Sequence, residues 1–307
     1  MAARLEVIFI LSALVLQNIL VVFTTKYSLR SAAQPYSLTS VVLASEVLKL
    51  LVCALNVVYF GGVIKVLSTL GAGVRQLELG VPAFMYVVQN NLNMYALRGL
   101  SPPVFVACNQ TKIFATALFG KMILQTGVGR RQMQSLFLLM VGMIVLQLPD
   151  EHSVKHESMT HVKYLYGLLS ATGAAFSSGF TGVYLEKLFK NSSENIWERN
   201  MQLALFSTPF ALIVFIFDKN PVVLCSFCGF NRVVIFLVVL QAVGGLLIGL
   251  IMLKASALLK CFAVSISLCA CALIDSSIKH QFVSSLSALG ICCVCGASFL
   301  FSTASKV

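Results

Sequence analysis

Residues 101–119 read SPPVFVACNQTKIFATALF, and their interpretation decides the fold. Two prolines open the stretch, apolar residues fill most of it, and Lys112 sits inside it. Pro102 and Pro103 favour a helix start and prevent a continuous helix through the preceding "RGLS". The remaining residues are long and apolar enough to reach across a bilayer. A lysine at that depth costs roughly 2.5–3.5 kcal/mol on insertion scales, so it needs a reason to be there.

Composition places this stretch in a membrane. The chain has 307 residues, of which 58% are hydrophobic and only 11% charged, against about 25% charged in ordinary soluble domains. Its mean hydropathy is +0.91. Apolar runs of spanning length fall at 6–25, 38–60, 79–97, 102–122, 132–149, 164–186, 200–217, 232–253, 256–276 and 283–302. These predict an all-α membrane protein of ten transmembrane helices. The first run, LEVIFILSALVLQNILVVF, is too long for the 7–15-residue core of a signal peptide and reads as a span.

The spans divide into two sets of five, a first repeat over 1–150 and a second over 160–307. Lys112 in the fourth span and Lys260 in the ninth then occupy equivalent positions. An odd number of helices per half makes the repeats inverted, with a shared site near the midplane.

The net charge of +11 comes from basic residues scattered through short loops. No basic stripe with interleaved aromatics is present, which argues against nucleic acid. Positive-inside bias explains the excess and puts both termini in the cytosol, with Lys65, Arg75, Lys121, Arg130, Arg131, Lys187, Lys190 and Lys254 on the cytosolic side. The glycosylation patterns at Asn109 and Asn191 then fall in a span and in a cytosolic loop, and neither is expected to be modified.

Several residues could carry chemistry. Phe105, Asn109 and Lys112 are spaced i, i+4, i+7 and share one helical face. Such a stripe, about 10 Å long, suits a ligand with a flat ring at one end and an anion at the other. In the third span, YVVQNNLNMYALR places Tyr86, Asn90 and Asn93 on one face with Gln89 beside it. Amides in hydrocarbon need partners, either neighbouring helices or a ligand-lined cavity. Glu46 and Lys49 are i, i+3 neighbours and read as a structural or gating ion pair. Gly179 and Gly182 permit close approach of a helix or a ligand. Asn200 either caps the seventh span or faces the cavity.

Enzymatic chemistry has no support. His152, His156 and His161 share one polar loop with no nucleophile nearby. Cys225 and Cys228 form a lone C-x-x-C without a second ligand pair, so no metal is expected. There is no G-x-x-x-x-G-K-[ST] phosphate loop. Secondary transport or exchange without a cofactor is the function class that remains.

The segments SEVLKLL, VPAFMYVVQNN, QTKIFATAL, SSGFTGVYLEKLFK, IWERNMQ and LLKCFAVSIS resemble, in order and spacing, the nucleotide-sugar transporters of the drug/metabolite transporter superfamily. The branch is the one containing CMP-sialic acid, UDP-galactose and UDP-N-acetylglucosamine carriers. The resemblance implies a multi-pass Golgi or endoplasmic-reticulum protein, often a homodimer in its lipid bilayer. It would exchange a cytosolic nucleotide sugar, UDP-linked, for a lumenal nucleoside monophosphate, UMP. A CMP-sialic acid/CMP antiporter is one alternative; a non-transporting scaffold for glycosyltransferases is another. By the same resemblance, Lys112 meets phosphate with Lys260 as its second-half partner. Tyr86, Gln89 and Asn90 line the pocket from the third span, and Asn200 from the seventh. Phe105 stands where tyrosine is usual, Asn109 replaces an aromatic residue, and Ala204 stands where tyrosine is common.

Overall fold

The computed structural model describes residues 2–31, 36–75, 77–148, 161–217, 230–278 and 283–304. Among these, all regular structure is helical. The helices are α1 (Ala2–Ser31), α2 (Leu38–Arg75), α3 (Gly80–Gly99), α4 (Pro102–Gln110), α5 (Lys112–Ile123) and α6 (Arg130–Leu146). They continue with α7 (His161–Lys190), α8 (Ile196–Ile216), α9 (Arg232–Lys254), α10 (Ala257–Ile278) and α11 (Ser285–Ala304). Six helices are long and apolar enough to cross a membrane: α1, α2, α8, α9, α10 and α11. The others fall short for visible reasons. Gln89, Asn90, Asn91 and Asn93 dilute α3, while α4 and α5 are two short pieces of one expected span.

Two boundaries differ from expectation in ways that matter. The polar connector expected after residue 60 is helical, and α2 runs on to Arg75. Gly62 interrupts it with a φ of 76°, a left-handed value open to glycine at little cost. Beyond that kink Val66 and Leu70 pack against the cluster of Cys53, Val57 and Met201, so tertiary burial holds the extension. The seventh span starts four residues earlier than expected, at Ile196, with Asn195 in the N-cap position. Asn200 therefore does not cap it.

By its internal contacts the chain forms two compact units. The first comprises Met1–Val87 with Leu185–Ser256, the second Val88–Tyr184 with Ala257–Val307. Each draws helices from both halves of the chain. This grouping is by contact, whereas the repeats expected over 1–150 and 160–307 group helices by chain order.

In the first unit α2 packs on α8 and α9, and α1 lies against α9. Glu6 pairs with Lys254 at 3.4 Å, Gln17 Nε2 donates to Leu240 O at 3.0 Å, and Val21 packs on the Val234–Leu237 cluster. Those pairings run in opposite senses along the two helices, so α1 and α9 are antiparallel. At the start of α8 the buried Arg199 donates to Gln202 Oε1 (3.2 Å) and to Leu188 O (3.1 Å) at the end of α7. Gln202 in turn donates to Thr69 O of α2 (3.2 Å) and to Glu194 Oε1 (2.8 Å). One arginine thus satisfies a helix-end carbonyl that the α-helical pattern leaves without a donor.

In the second unit the closest seam joins α6 to α11. A methyl group at Gly290 would lie 2.7 Å from Leu146 N and 2.9 Å from Gly142 O, so the two backbones touch through glycine. Ser135 Oγ donates across the seam to Ala297 O at 2.8 Å. Apolar burial drives helices together weakly in lipid, and close packing of small residues replaces it. Ile113, Leu136, Leu139, Met143, Phe262 and Val294 fill the core around the seam.

Candidate functional site

The residues with the strongest chemical signal lie in the second unit, at a break in the expected fourth span. Helix α4 stops at Gln110 and α5 begins at Lys112. Between them Thr111 keeps helical angles (φ −62°, ψ −17°), but its N–H bonds Cys108 O at 3.1 Å, the tighter 3-10 pattern. The Thr111 hydroxyl donates to the same carbonyl at 2.6 Å. One carbonyl thus receives both donors, and α4 passes into α5 through a single tightly wound turn that keeps helical angles. Lys112 follows directly on that turn.

Lys260, in the first turns of α10, lies close enough for its charge to act on Lys112, as does Cys261. Among the described residues neither lysine takes part in an ion pair with a carboxylate. Two mutually repelling ammonium groups form a region of positive potential. An anion entering it would relieve the repulsion and meet charge-assisted donors.

Gly179 and Gly182 seat α7 against the two lysine-bearing helices. A methyl at Gly179 would lie 2.7 Å from Ala115 Cβ and 2.8 Å from Thr116 N, so α7 and α5 meet almost backbone to backbone. At Gly182 the added methyl would meet only Ala257 Cβ, at an ordinary 3.6 Å. Both glycines therefore have packing partners, and only the first lacks room for a side chain.

The amide-rich face of α3 has unmet hydrogen-bonding capacity. Gln89 Oε1 and Asn93 Oδ1, one turn apart, are both buried and accept no hydrogen bond from any described residue. Buried carbonyl oxygens without donors carry a desolvation cost of about 1–3 kcal/mol each. Asn90 is exposed, and Tyr86, in the first unit, is 40% exposed. Phe105 packs beside Ala96, Leu100 and Ala171 with its ring partly accessible, and Asn109 is partly buried.

The structure gives the remaining expected residues packing roles in the first unit. Glu46 and Lys49 form an ion pair at 2.6 Å, and Ser207 Oγ of α8 donates to the same carboxylate oxygen. Lys49 lies along Gly245 of α9. The pair thus ties α2 to α8 and α9. Glu46→Gln would leave Lys49 uncompensated in a largely buried place and should lower stability by about 3 kcal/mol. Its melting temperature should fall by several degrees, and Glu46→Leu with Lys49→Met should recover most of the loss. Asn200 is buried, donates to Ile196 O at 2.9 Å and fills the space left by Gly249.

Sequence reading passed over Thr111, Ser207 and the Arg199–Gln202 network. Arg199 and Gln202 were visible only as part of the motif after Trp197. Thr111 offered no signal, because a threonine in a helical run is ordinary. His152, His156, Cys225 and Cys228 lie outside the described residues. Among those described, no three His, Cys, Asp or Glu side chains converge as a metal site.

The fold defines an all-helical, multi-pass membrane protein. The chain belongs to the nucleotide-sugar transporter family, whose sequence model matches residues 2–302. It is 35% identical over 303 residues to a human UDP-N-acetylglucosamine transporter, covering 95% of this chain and 93% of that protein. A UDP-N-acetylglucosamine/UDP-N-acetylgalactosamine transporter of Caenorhabditis elegans is 35% identical, over 84% of this chain and 81% of its own. A human UDP-galactose translocator is 33% identical, over 95% and 76%. A solved crystal structure shares the fold with a TM-score of 0.71 over 98% of both chains, at 12% identity.

Proposed function

We propose that this protein carries a UDP-linked sugar, UDP-N-acetylglucosamine or UDP-galactose, across the Golgi membrane in exchange for UMP. The observation that supports the reading is that the charges of Lys112 and Lys260 act on one another, while neither pairs with a carboxylate among the described residues. A diphosphate is the part of the substrate that such a centre would hold. Both substrate and counter-substrate contain phosphate, so one clamp serves both directions of exchange. The curated relatives named above, all carriers of UDP-sugars, supply the base and the sugar class.

In this reading the ten spans form two inverted five-helix repeats with cytosolic termini, and alternating access rocks them around the lysines. Gln89 and Asn90 of α3, with Tyr86, face the nucleoside, and the free Gln89 oxygen suits the imide N–H of uracil. Phe105 offers a ring for stacking, worth roughly 1–3 kcal/mol per base in other nucleotide sites, and Asn109 adds an adjustable amide. Gly179 and Gly182 hold the lysine helices at the cavity wall. Asn200, packed on Gly249, is a further polar contact for the substrate by the family resemblance. Glu46 and Lys49 act as a structural or gating pair, and two copies of the chain associate in the bilayer.

Counterflow is the deciding experiment. Proteoliposomes containing the purified chain are preloaded with UMP, CMP or GMP and offered labelled UDP-N-acetylglucosamine, UDP-galactose or CMP-sialic acid. UMP inside should accelerate uptake of a UDP-sugar at least about tenfold over empty vesicles, whereas GMP should not. Acceleration by CMP of CMP-sialic acid alone would replace the substrate assignment. No trans-stimulation by any nucleotide, from protein that elutes as a single folded species, would overturn transport altogether.

A further inference from the structure

At the end of the α1–α9 pair opposite the Glu6–Lys254 contact, a groove of ≈440 Å³ opens between Phe23, Thr24, Tyr27, Arg232, Val233 and Phe236. We propose that it binds an anionic glycerophospholipid, headgroup against Arg232 and Lys26 and acyl chain along Phe23 and Phe236.

Position supplies the first argument. The membrane-crossing part of α1 ends at Ser28 and α9 begins at Arg232, so the groove lies where two spanning helices leave the hydrocarbon. Aromatic side chains collect at that depth because their rings suit a mixed environment. Here they are accessible: Tyr27 is 61% exposed and Phe236 49%. Both therefore face whatever surrounds the protein, and in a bilayer that is lipid.

Charge supplies the second. Of the six lining residues one is basic and none is acidic. Lys26 sits beside them, its ammonium 5.7 Å from the centre of the Phe23 ring. Arg232 is the first residue of α9, where the helix end is itself positive, so the guanidinium is held there against an unfavourable field. A phosphodiester lying over Arg232 would reverse the sign of that interaction and accept bidentate hydrogen bonds. The α9 N-cap is already served within the protein, since Asn231 Oδ1 accepts from Val233 N (3.0 Å) and Val234 N (2.9 Å). A zwitterionic lipid would bring a choline cation to the same place and lose part of the gain.

The test uses the full chain in a neutral detergent. Dioleoyl phosphatidylserine, dioleoyl phosphatidylcholine or inorganic phosphate is titrated while thermal unfolding is followed. Phosphatidylserine should stabilise at concentrations about tenfold or more below those phosphatidylcholine needs, as one extra hydrogen bond between charged groups would give. Inorganic phosphate at the same concentrations should have no effect, because it lacks the chain. Lys26→Gln with Arg232→Gln should erase the preference, and Lys121→Gln, an exposed lysine on α5, should keep it. Equal action of the two lipids on the native chain, or a preference surviving the double substitution, would overturn the proposal. If the double variant does not fold, a photoactivatable phosphatidylserine decides the matter on the native chain. Crosslinks should map to residues 23–27 or 232–236, and crosslinks confined elsewhere would rule the groove out.

Discussion

Lys112→Gln should lower trans-stimulated uptake at least about 100-fold, close to that of empty vesicles, while leaving the melting temperature equal or higher. The two halves of this expectation separate a ligand-binding lysine from a structural one. A structural lysine would be neutralised by a carboxylate, and its loss would expose that partner at a cost of about 3–5 kcal/mol. Lys112 belongs to no ion pair among the described residues, and its charged neighbour is Lys260. Removing its charge therefore relieves repulsion and a desolvation cost of roughly 2.5–3.5 kcal/mol. Hydrogen bonds to charged groups are worth about 1.5–3 kcal/mol each, and losing one or two to a phosphate accounts for the fall in uptake. Lys112→Arg keeps the charge with a bulkier, planar head and should retain only part of the activity. Normal exchange by Lys112→Gln would remove this residue from the site, and so would a collapse in stability.

The second large effect is expected at Gly179. Gly179→Val should abolish folding, seen as loss of the monodisperse species in size-exclusion chromatography, and Gly179→Ala should already cost several kcal/mol. A methyl group there would stand 2.7–2.9 Å from Ala115 and Thr116, two of those contacts being backbone atoms that cannot rotate away. Overpacking of a tight site costs about 1–3 kcal/mol even where side chains can adjust. Gly182→Ala is the internal control. Its methyl would meet one side-chain carbon at 3.6 Å, and stability should change by less than about 0.5 kcal/mol. Similar outcomes for the two glycines would mean that the α5–α7 seam is looser than described.

That contrast shows what pattern reading could reach. In the sequence the two glycines were equivalent, three residues apart on one helix, and nothing in the string distinguishes a backbone contact from an ordinary one. Lys112 and Lys260 were legible because a charge in an apolar run is expensive wherever it lies, and that one acts on the other came only from the tertiary structure. The Glu46–Lys49 pair was legible from its i, i+3 spacing, but its tie to Ser207, 161 residues away along the chain, was not. Asn200 was misplaced relative to its helix because the start at Ile196 is fixed by polar residues resembling a loop. The helical extension of α2 was missed for the same reason: burial of Val66 and Leu70 overrides the local signal of glycine and polar residues.

The sequence alone determined the solvent and the class. An apolar content of 58% admits no stable soluble fold of this length, and hydrocarbon admits helices because each satisfies its own backbone. The order of motifs placed the chain in its family. Only tertiary structure decided that the fourth span tightens at Thr111, that Gly179 and Gly290 are backbone contacts, and which polar atoms remain unsatisfied. Those features depend on which helices touch. Between helices in lipid, contact is governed by shape and by pairing of scattered polar groups, neither of which leaves a period in the sequence.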